Sequence, residues 1–126
     1  PKGAADSYLT NLSWTPDEKY VLIAEVNREQ NHMWLNQYDA KTGAFVKTIL
    51  EEQNEKWVEP EHPAFFPSAN SNNFVWISEK DGFNNLYYYT IEGKLIKQLT
   101  TNKFVAKSIL TAINNGKEIY CLLRVV

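Results

Sequence analysis

Cysteine is nearly absent. Cys121 is the one thiol in 126 residues, so no internal disulfide forms and no cysteine cluster holds zinc. A lone cysteine fits an exported chain as well as a cytosolic one. Histidine is scarce too: His32 and His62 lie far apart, without ligand spacing to a carboxylate motif, so neither a metal nor any other cofactor is expected. Basic charge is lacking. With 13 Lys and Arg against 15 Asp and Glu, the net charge is −2, which offers no footprint for nucleic acid. No apolar run is long enough to span a bilayer, so no membrane partner is expected. None of the 5 glycines is followed two positions later by serine. The Gly-x-Ser-x-Gly nucleophile elbow is therefore missing, and no catalytic residue is expected in this chain. No signal-peptide pattern follows Pro1-Lys2-Gly3, and the chain stops inside the apolar run Leu122-Leu123-Arg124-Val125-Val126. An end inside such a run reads as that of an excised fragment.

What is present is the profile of a folded chain: 44% hydrophobic and 22% charged residues. Aromatic residues, at 13%, fall in short runs between polar turns, which favours strands. Tyr8–Trp14 alternates as a strand, and Thr15-Pro16-Asp17-Glu18-Lys19 is a turn in which proline presets the corner and aspartate bonds its own backbone. Tyr20–Val26 is a near-continuous apolar run, the pattern of a strand covered on both faces. After the polar loop Asn27–Asn31 comes a third strand, His32–Tyr38. Asp39–Gly43 turns, and Ala44–Leu50 is a fourth strand.

The series then repeats. Pro63-Ala64-Phe65-Phe66-Pro67 matches Leu12-Ser13-Trp14-Thr15-Pro16 as an aromatic strand stopped by proline, and Phe74–Ser78 matches the run from Tyr20. Asp81-Gly82 is a hairpin signal, Leu86–Thr90 matches the Trp34 strand, and Lys94–Thr100 closes the unit. A third copy starts near Ser108 and continues through the turn Asn114-Asn115-Gly116-Lys117 into Ile119–Leu123. Four strands at a period of roughly fifty residues are the signature of propeller blades. The matching turn positions favour blades over a β-sandwich, which also has short, regular strands. The expected fold is all-β: four-stranded antiparallel blades, about two and a half of them, at 8–50, 63–100 and 105–126. Blades bury their faces on neighbours, so such a fragment is expected to self-associate.

The order aromatic-x-Pro, apolar run, Asp-Gly, Leu-Tyr-x-Tyr, then Gly-Lys-Leu-x-x-Gln-Leu-Thr resembles the N-terminal propeller of the dipeptidyl peptidase IV family, among the prolyl oligopeptidase relatives and closest to its bacterial members. Trp14-Thr15-Pro16-Asp17, Trp57-Val58-Glu59-Pro60, Trp76–Tyr87 and Gly93–Thr100 carry the likeness, which covers roughly Tyr8 to Tyr120. The resemblance implies a parent serine exopeptidase that removes N-terminal dipeptides. Its partners would be a peptide substrate and a C-terminal α/β-hydrolase domain of the same chain, and its location the periplasm or cell surface. It implies a propeller that screens access and recognises the substrate amine, inactive by itself. The alternative is a non-enzymatic propeller that binds proteins.

The stretch from Trp57 to Phe66 holds two carboxylates, a histidine and two prolines. Proline fixes φ and pushes the preceding residue toward extended geometry, so this is a stiff connector with side chains at defined angles. By resemblance, the segment after Trp57 approaches the substrate cavity. Trp57, Glu59, Glu61 and His62 are accordingly the candidate substrate-binding residues, with Glu59-Pro60-Glu61-His62 standing where mammalian members carry an aromatic and an arginine. Glu51-Glu52 is placed in the inter-blade connection and reads as a solvated pair. Trp14, Trp34 and Trp76 fall inside strands and read as core. His32 reads as a surface or edge residue. Asn11-Leu12-Ser13 fits a glycosylation pattern by coincidence.

Overall fold

The computed structural model describes residues 7–54, 62–79, 85–100, 104–113 and 118–125, the last two segments through their backbone pairing. It is all-β: nine strands, every pair of them antiparallel, and no helix among the described residues. The chain divides into two compact units, Pro1–Pro63 and Ala64–Val126.

The first unit is one four-stranded sheet in the order β1 (Tyr8–Trp14), β2 (Tyr20–Val26), β3 (His32–Asp39), β4 (Phe45–Gln53). Its register sorts the side chains onto two faces. Leu22, Ala24 and Val26 stand opposite Gln37, Leu35 and Met33, and Leu35 stands opposite Leu50. All seven are buried. Fully burying an aliphatic side chain contributes about 1.5–3 kcal/mol, so this face carries much of the unit's stability. The other face mixes types: Val21 opposite Tyr38, Ile23 opposite Asn36 and Glu25 opposite Trp34.

The turn between β1 and β2 forms as its residues dictate. Thr15 Oγ1 donates to Asp17 Oδ1 at 2.6 Å, the Lys19 amide donates to the same oxygen at 3.0 Å, and the Glu18 amide closes onto the Thr15 carbonyl. A bulge in β1 sets Asn11 and Leu12 opposite the single residue Ile23, with Asn11 at φ 55°, a left-handed conformation that asparagine tolerates. Trp14 is not core. It is 55% exposed on β1, which pairs with β2 alone in the described sheet, and Tyr8, Leu9 and Leu12 are similarly exposed. At an edge a ring has strand neighbours on one side only, so position in the sheet overrides residue type.

The second unit holds β5 (Phe74–Ser78), β6 (Asn85–Tyr89) and β7 (Leu95–Gln98) in that order, and the hairpin β8 (Phe104–Ile113) with β9 (Glu118–Val125). Phe74, Trp76, Tyr87 and Tyr89 are buried on one face, and Phe74 stacks with Tyr89 at 5.8 Å. On the other face Val75 and Leu86 pack with Phe65, Ile77, Tyr88 and Leu99. The tyrosine run thus alternates as expected, with rings on both sides of a covered strand. The anticipated strand at Pro63–Pro67 shrinks to one bridge, in which Phe65 exchanges both backbone bonds with Val75. Pro63 and Pro67 have no amide hydrogen to extend the ladder.

The repeat is visible in register. Trp14, Val21 and Tyr38 form one row across β1–β3, and Phe65, Val75 and Tyr88 form its counterpart in the second unit. The β3–β4 and β6–β7 hairpins also agree. Gly43 at φ 74° and Gly93 at φ 92° donate their amides back to Asp39 and Thr90, in a conformation that glycine adopts without strain. The Asp81-Gly82 and Asn114-Asn115-Gly116 turns lie outside the described residues.

Candidate functional site

The distinctive chemistry of the first unit gathers where β3 begins and β4 ends. Asn27 organises the β2–β3 turn. Its Oδ1 accepts from the amides of Asn31 and His32, and its Nδ2 donates to Asn31 Oδ1 at 2.7 Å and to Glu29 Oε2 at 3.3 Å. Asparagine suits this position because its side chain replaces backbone partners in tight turns. Gln30 is thereby held at φ 57°. The turn also reaches the end of β4, since the Asn54 amide donates to the Asn31 carbonyl at 3.0 Å.

Across the sheet from this turn runs a row of Glu25, Trp34 and Glu51, in register on β2, β3 and β4. His32, two residues before Trp34 and so on the same face, stacks on the indole with centroids 3.9 Å apart and planes inclined by 13°. Its Nε2 lies 2.5 Å from Glu51 Oε1, where a hydrogen on that nitrogen donates to the carboxylate. The ring is held on one side by a π-face and at its edge by a charge-assisted hydrogen bond. The His32 side chain is 18% exposed and that of Glu51 56%, so the pair sits at the rim, where such contacts are worth about 0.2–1 kcal/mol.

Deeper on the same face a polar ladder crosses three strands. Thr48 Oγ1 donates to Asn36 Oδ1 at 2.7 Å, and Asn36 Nδ2 donates to Glu25 Oε2 at 3.3 Å. Asn36 is 1% exposed and Glu25 4%. A buried carboxylate is costly without a donor, and here the Asn36 amide supplies one. The donor and acceptor ends of Asn36 fit this arrangement in one orientation only, which fixes the side chain.

Two expectations are corrected here. Glu51 and Glu52 do not lie in the inter-blade connection. β4 runs on to Gln53, with Glu52 opposite Met33 and Glu51 opposite Trp34. Glutamate is a poor strand former, which places the sequence boundary at Leu50. Pairing with β3 and the contact to His32 carry the strand further. His32 likewise is not on an edge strand: it begins the inner strand β3, partly buried at the rim of the sheet, with Trp34 stacked on its face and Glu51 at its edge. Sequence reasoning missed this group, although the alternation His32, Trp34, Asn36 placed three unusual side chains on one face, and Glu25 stood out as the charge inside an apolar run.

Of the substrate-binding candidates, Trp57, Glu59 and Glu61 lie outside the described residues. His62 is half-buried, and its Nε2 is buried without a hydrogen-bond partner. The structure therefore places one of the four and leaves it apart from the His32 group in the contacts described. Among the described residues no three His, Cys, Asp or Glu side chains gather as a metal-binding group. The cluster's chemistry is that of fixed carboxylates and a braced ring.

Comparison with known proteins gives this geometry a context. A model of the dipeptidyl peptidase IV N-terminal region matches residues 1–121. A Bacteroides ovatus protein assigned as a dipeptidyl aminopeptidase IV has a similar structure, with 36% identity, a TM-score of 0.74, and coverage of 83% of this chain and 18% of that one. Porphyromonas gingivalis dipeptidyl peptidase 4 shares the fold, with 23% identity, a TM-score of 0.77, and coverage of 90% of this chain and 16% of that one. The chain thus spans less than a fifth of the length of either structure.

Proposed function

The chain belongs to the dipeptidyl peptidase IV family, as part of its N-terminal region, and on that premise we propose that it is a substrate-gating segment of the propeller of a serine dipeptidyl peptidase. In this reading the parent enzyme removes N-terminal dipeptides from peptides, its catalytic groups lie in a hydrolase domain elsewhere in the longer chain, and this segment is inactive alone. Trp57, Glu59, Glu61 and His62 line the route to that domain. A carboxylate there pairs with the ammonium of a peptide N-terminus, a contact worth about 1.5–3 kcal/mol.

The observation that supports this reading is that the family match, over residues 1–121, spans the stretch holding all four residues. The test is made on the full-length gene product. Glu59→Gln with Glu61→Gln removes both charges and keeps the shape. KM for a chromogenic dipeptide is expected to rise about tenfold or more, the equivalent of one lost charged contact. An unchanged KM and kcat/KM makes the stretch a connector only. A full-length protein with no dipeptide hydrolysis at all leaves the interaction-module reading in possession.

A further inference from the structure

The face of the first sheet that carries Glu25 and Glu51 has no lysine or arginine of its own. Across β1–β4 the one such residue is Lys47, which stands opposite Gln37 and so belongs to the other face. Leu9, Glu25, Trp34 and Glu51 run in one row over the four strands, and Trp14 stands opposite Val21 on the same face. Leu9 and Trp14 are 49% and 55% exposed, and the Glu51 side chain 56%. This surface is apolar along β1 and acidic at β4. The second unit offers its complement. β7 pairs with β6 alone in its described sheet, and from Lys94 to Lys97 it reads Lys-Leu-Ile-Lys, with all four residues exposed. Leu95 and Ile96 are 45% and 47% exposed. Tyr89 pairs with Leu95 and Tyr88 with Lys97, so Ile96 is the extra residue of a bulge and has no partner in the ladder. Among the described residues neither lysine has a carboxylate within ion-pair distance.

We propose that the Leu9–Glu51 face of one copy of this chain is a docking surface for the Lys94–Lys97 edge of a second copy. Leu95 and Ile96 pack on the apolar side of the face, and the lysines pair with Glu51 at its acidic side. The complementarity is twofold: apolar residues meet apolar residues, and two unpaired cations meet a carboxylate on a face without cations. Repeat proteins bury such faces on neighbouring units, and a second copy supplies the neighbour in trans. The two surfaces lie on different units of the chain, so the contact is heterologous and copies add head to tail. A short strand edge buries less than the about 1,200–2,000 Å² of a stable complex, so the assembly is weak and grows with concentration. The contact does not depend on the peptidase reading.

The experiment follows the 126-residue chain by sedimentation velocity over a range of concentrations, with circular dichroism to check that each variant keeps its strands. Glu51→Lys blocks the face and leaves the edge intact. Leu95→Thr with Ile96→Thr blocks the edge, leaves the face intact and keeps good strand formers in β7. The unsubstituted chain is expected to form a series of species beyond the dimer, weakened as salt rises from about 0.05 to about 0.5 M. Each variant alone is expected to bind its own kind about tenfold or more weakly, and Glu51→Gln to act in the same direction to a smaller extent. Mixed in equal amounts, the two variants are expected to form a one-to-one dimer and nothing larger. The intact edge of one meets the intact face of the other, and the remaining face and edge both carry lysines and repel. A mixture that stays monomeric overturns the pairing of these two surfaces. So does either variant assembling as the unsubstituted chain does, which would leave association through β1 alone, and so does an unsubstituted chain that is monomeric throughout.

Discussion

Asn36 holds the most exacting polar position in the first sheet. It is 1% exposed, accepts from Thr48 and donates to the carboxylate of Glu25. Removing its amide leaves the buried carboxylate of Glu25 without that donor and frees the half-buried hydroxyl of Thr48, and leaving a buried group unsatisfied costs about 1–3 kcal/mol. Asn36→Ala is therefore expected to destabilise the protein by about 1–3 kcal/mol, read from urea unfolding followed at the tryptophans. Glu25→Gln is expected to behave differently, within about 1 kcal/mol of the parent or slightly stabilising, because it keeps an acceptor for Asn36 and removes a buried charge. A Glu25→Gln variant as unstable as Asn36→Ala would show that the charge itself, and not its hydrogen bond, holds the site. None of this pairing is visible from composition. Glu25 in its apolar run hints at it, but its partner is eleven positions away in a different strand.

At the scale of the element, turns were the most legible feature and strand ends the least. Asp39 shows why turns read well. The amides of Thr42 and Lys41 both donate to its Oδ1, each at 2.9 Å, a local pattern that depends on residues within three positions. Those two donors, Thr42 first and then Lys41, hold the Asp39 carboxyl below its ordinary value of 3.8. The folded form thus binds a proton less readily than the unfolded one. The stabilisation is present above the ordinary carboxylate range and is lost as pH falls through the lowered value. Asp39→Asn keeps the acceptor and abolishes the titration. The difference in urea midpoint between parent and variant is expected to be constant above about pH 5 and to shrink below about pH 4. A difference that is flat down to about pH 3 would show that the charge contributes nothing to the turn. Strand ends read poorly for the opposite reason. β4 reaches Gln53 through its pairing with β3, and the segment at Phe65 fails to become a strand because its flanking prolines withhold donors. Both outcomes depend on a partner strand that no local window contains.

At the scale of the whole molecule, exposed apolar side chains set the behaviour expected in solution. Tyr8, Leu9, Leu12 and Trp14 are 53%, 49%, 58% and 55% exposed along one strand. A row of such residues on a strand that pairs on one side only in the described sheet is a template for association. The isolated chain is expected to elute from a sizing column ahead of a 14.6 kDa monomer, and Leu9→Lys with Leu12→Lys to shift it toward monomer. Monomeric elution of the unsubstituted chain at high concentration would count against this surface as a contact. In propellers generally, neighbouring blades cover such faces.

The sequence by itself determined the all-β class, the repeat, the turns and the family, because these rest on short-range pattern: alternation in strands, proline and glycine at corners, and the same order of signals met twice. The equivalence of Trp14 with Phe65, and of Val21 with Val75, was legible as spacing and reappears as register. Only the tertiary structure decided that Trp14 is exposed, that Glu51 is a strand residue, and that His32, Trp34 and Glu51 form one braced group. Burial and cross-strand contact are properties of where a strand lies in its sheet. That position is fixed by hydrogen bonds between residues distant in sequence, a quantity that no run of neighbouring letters encodes.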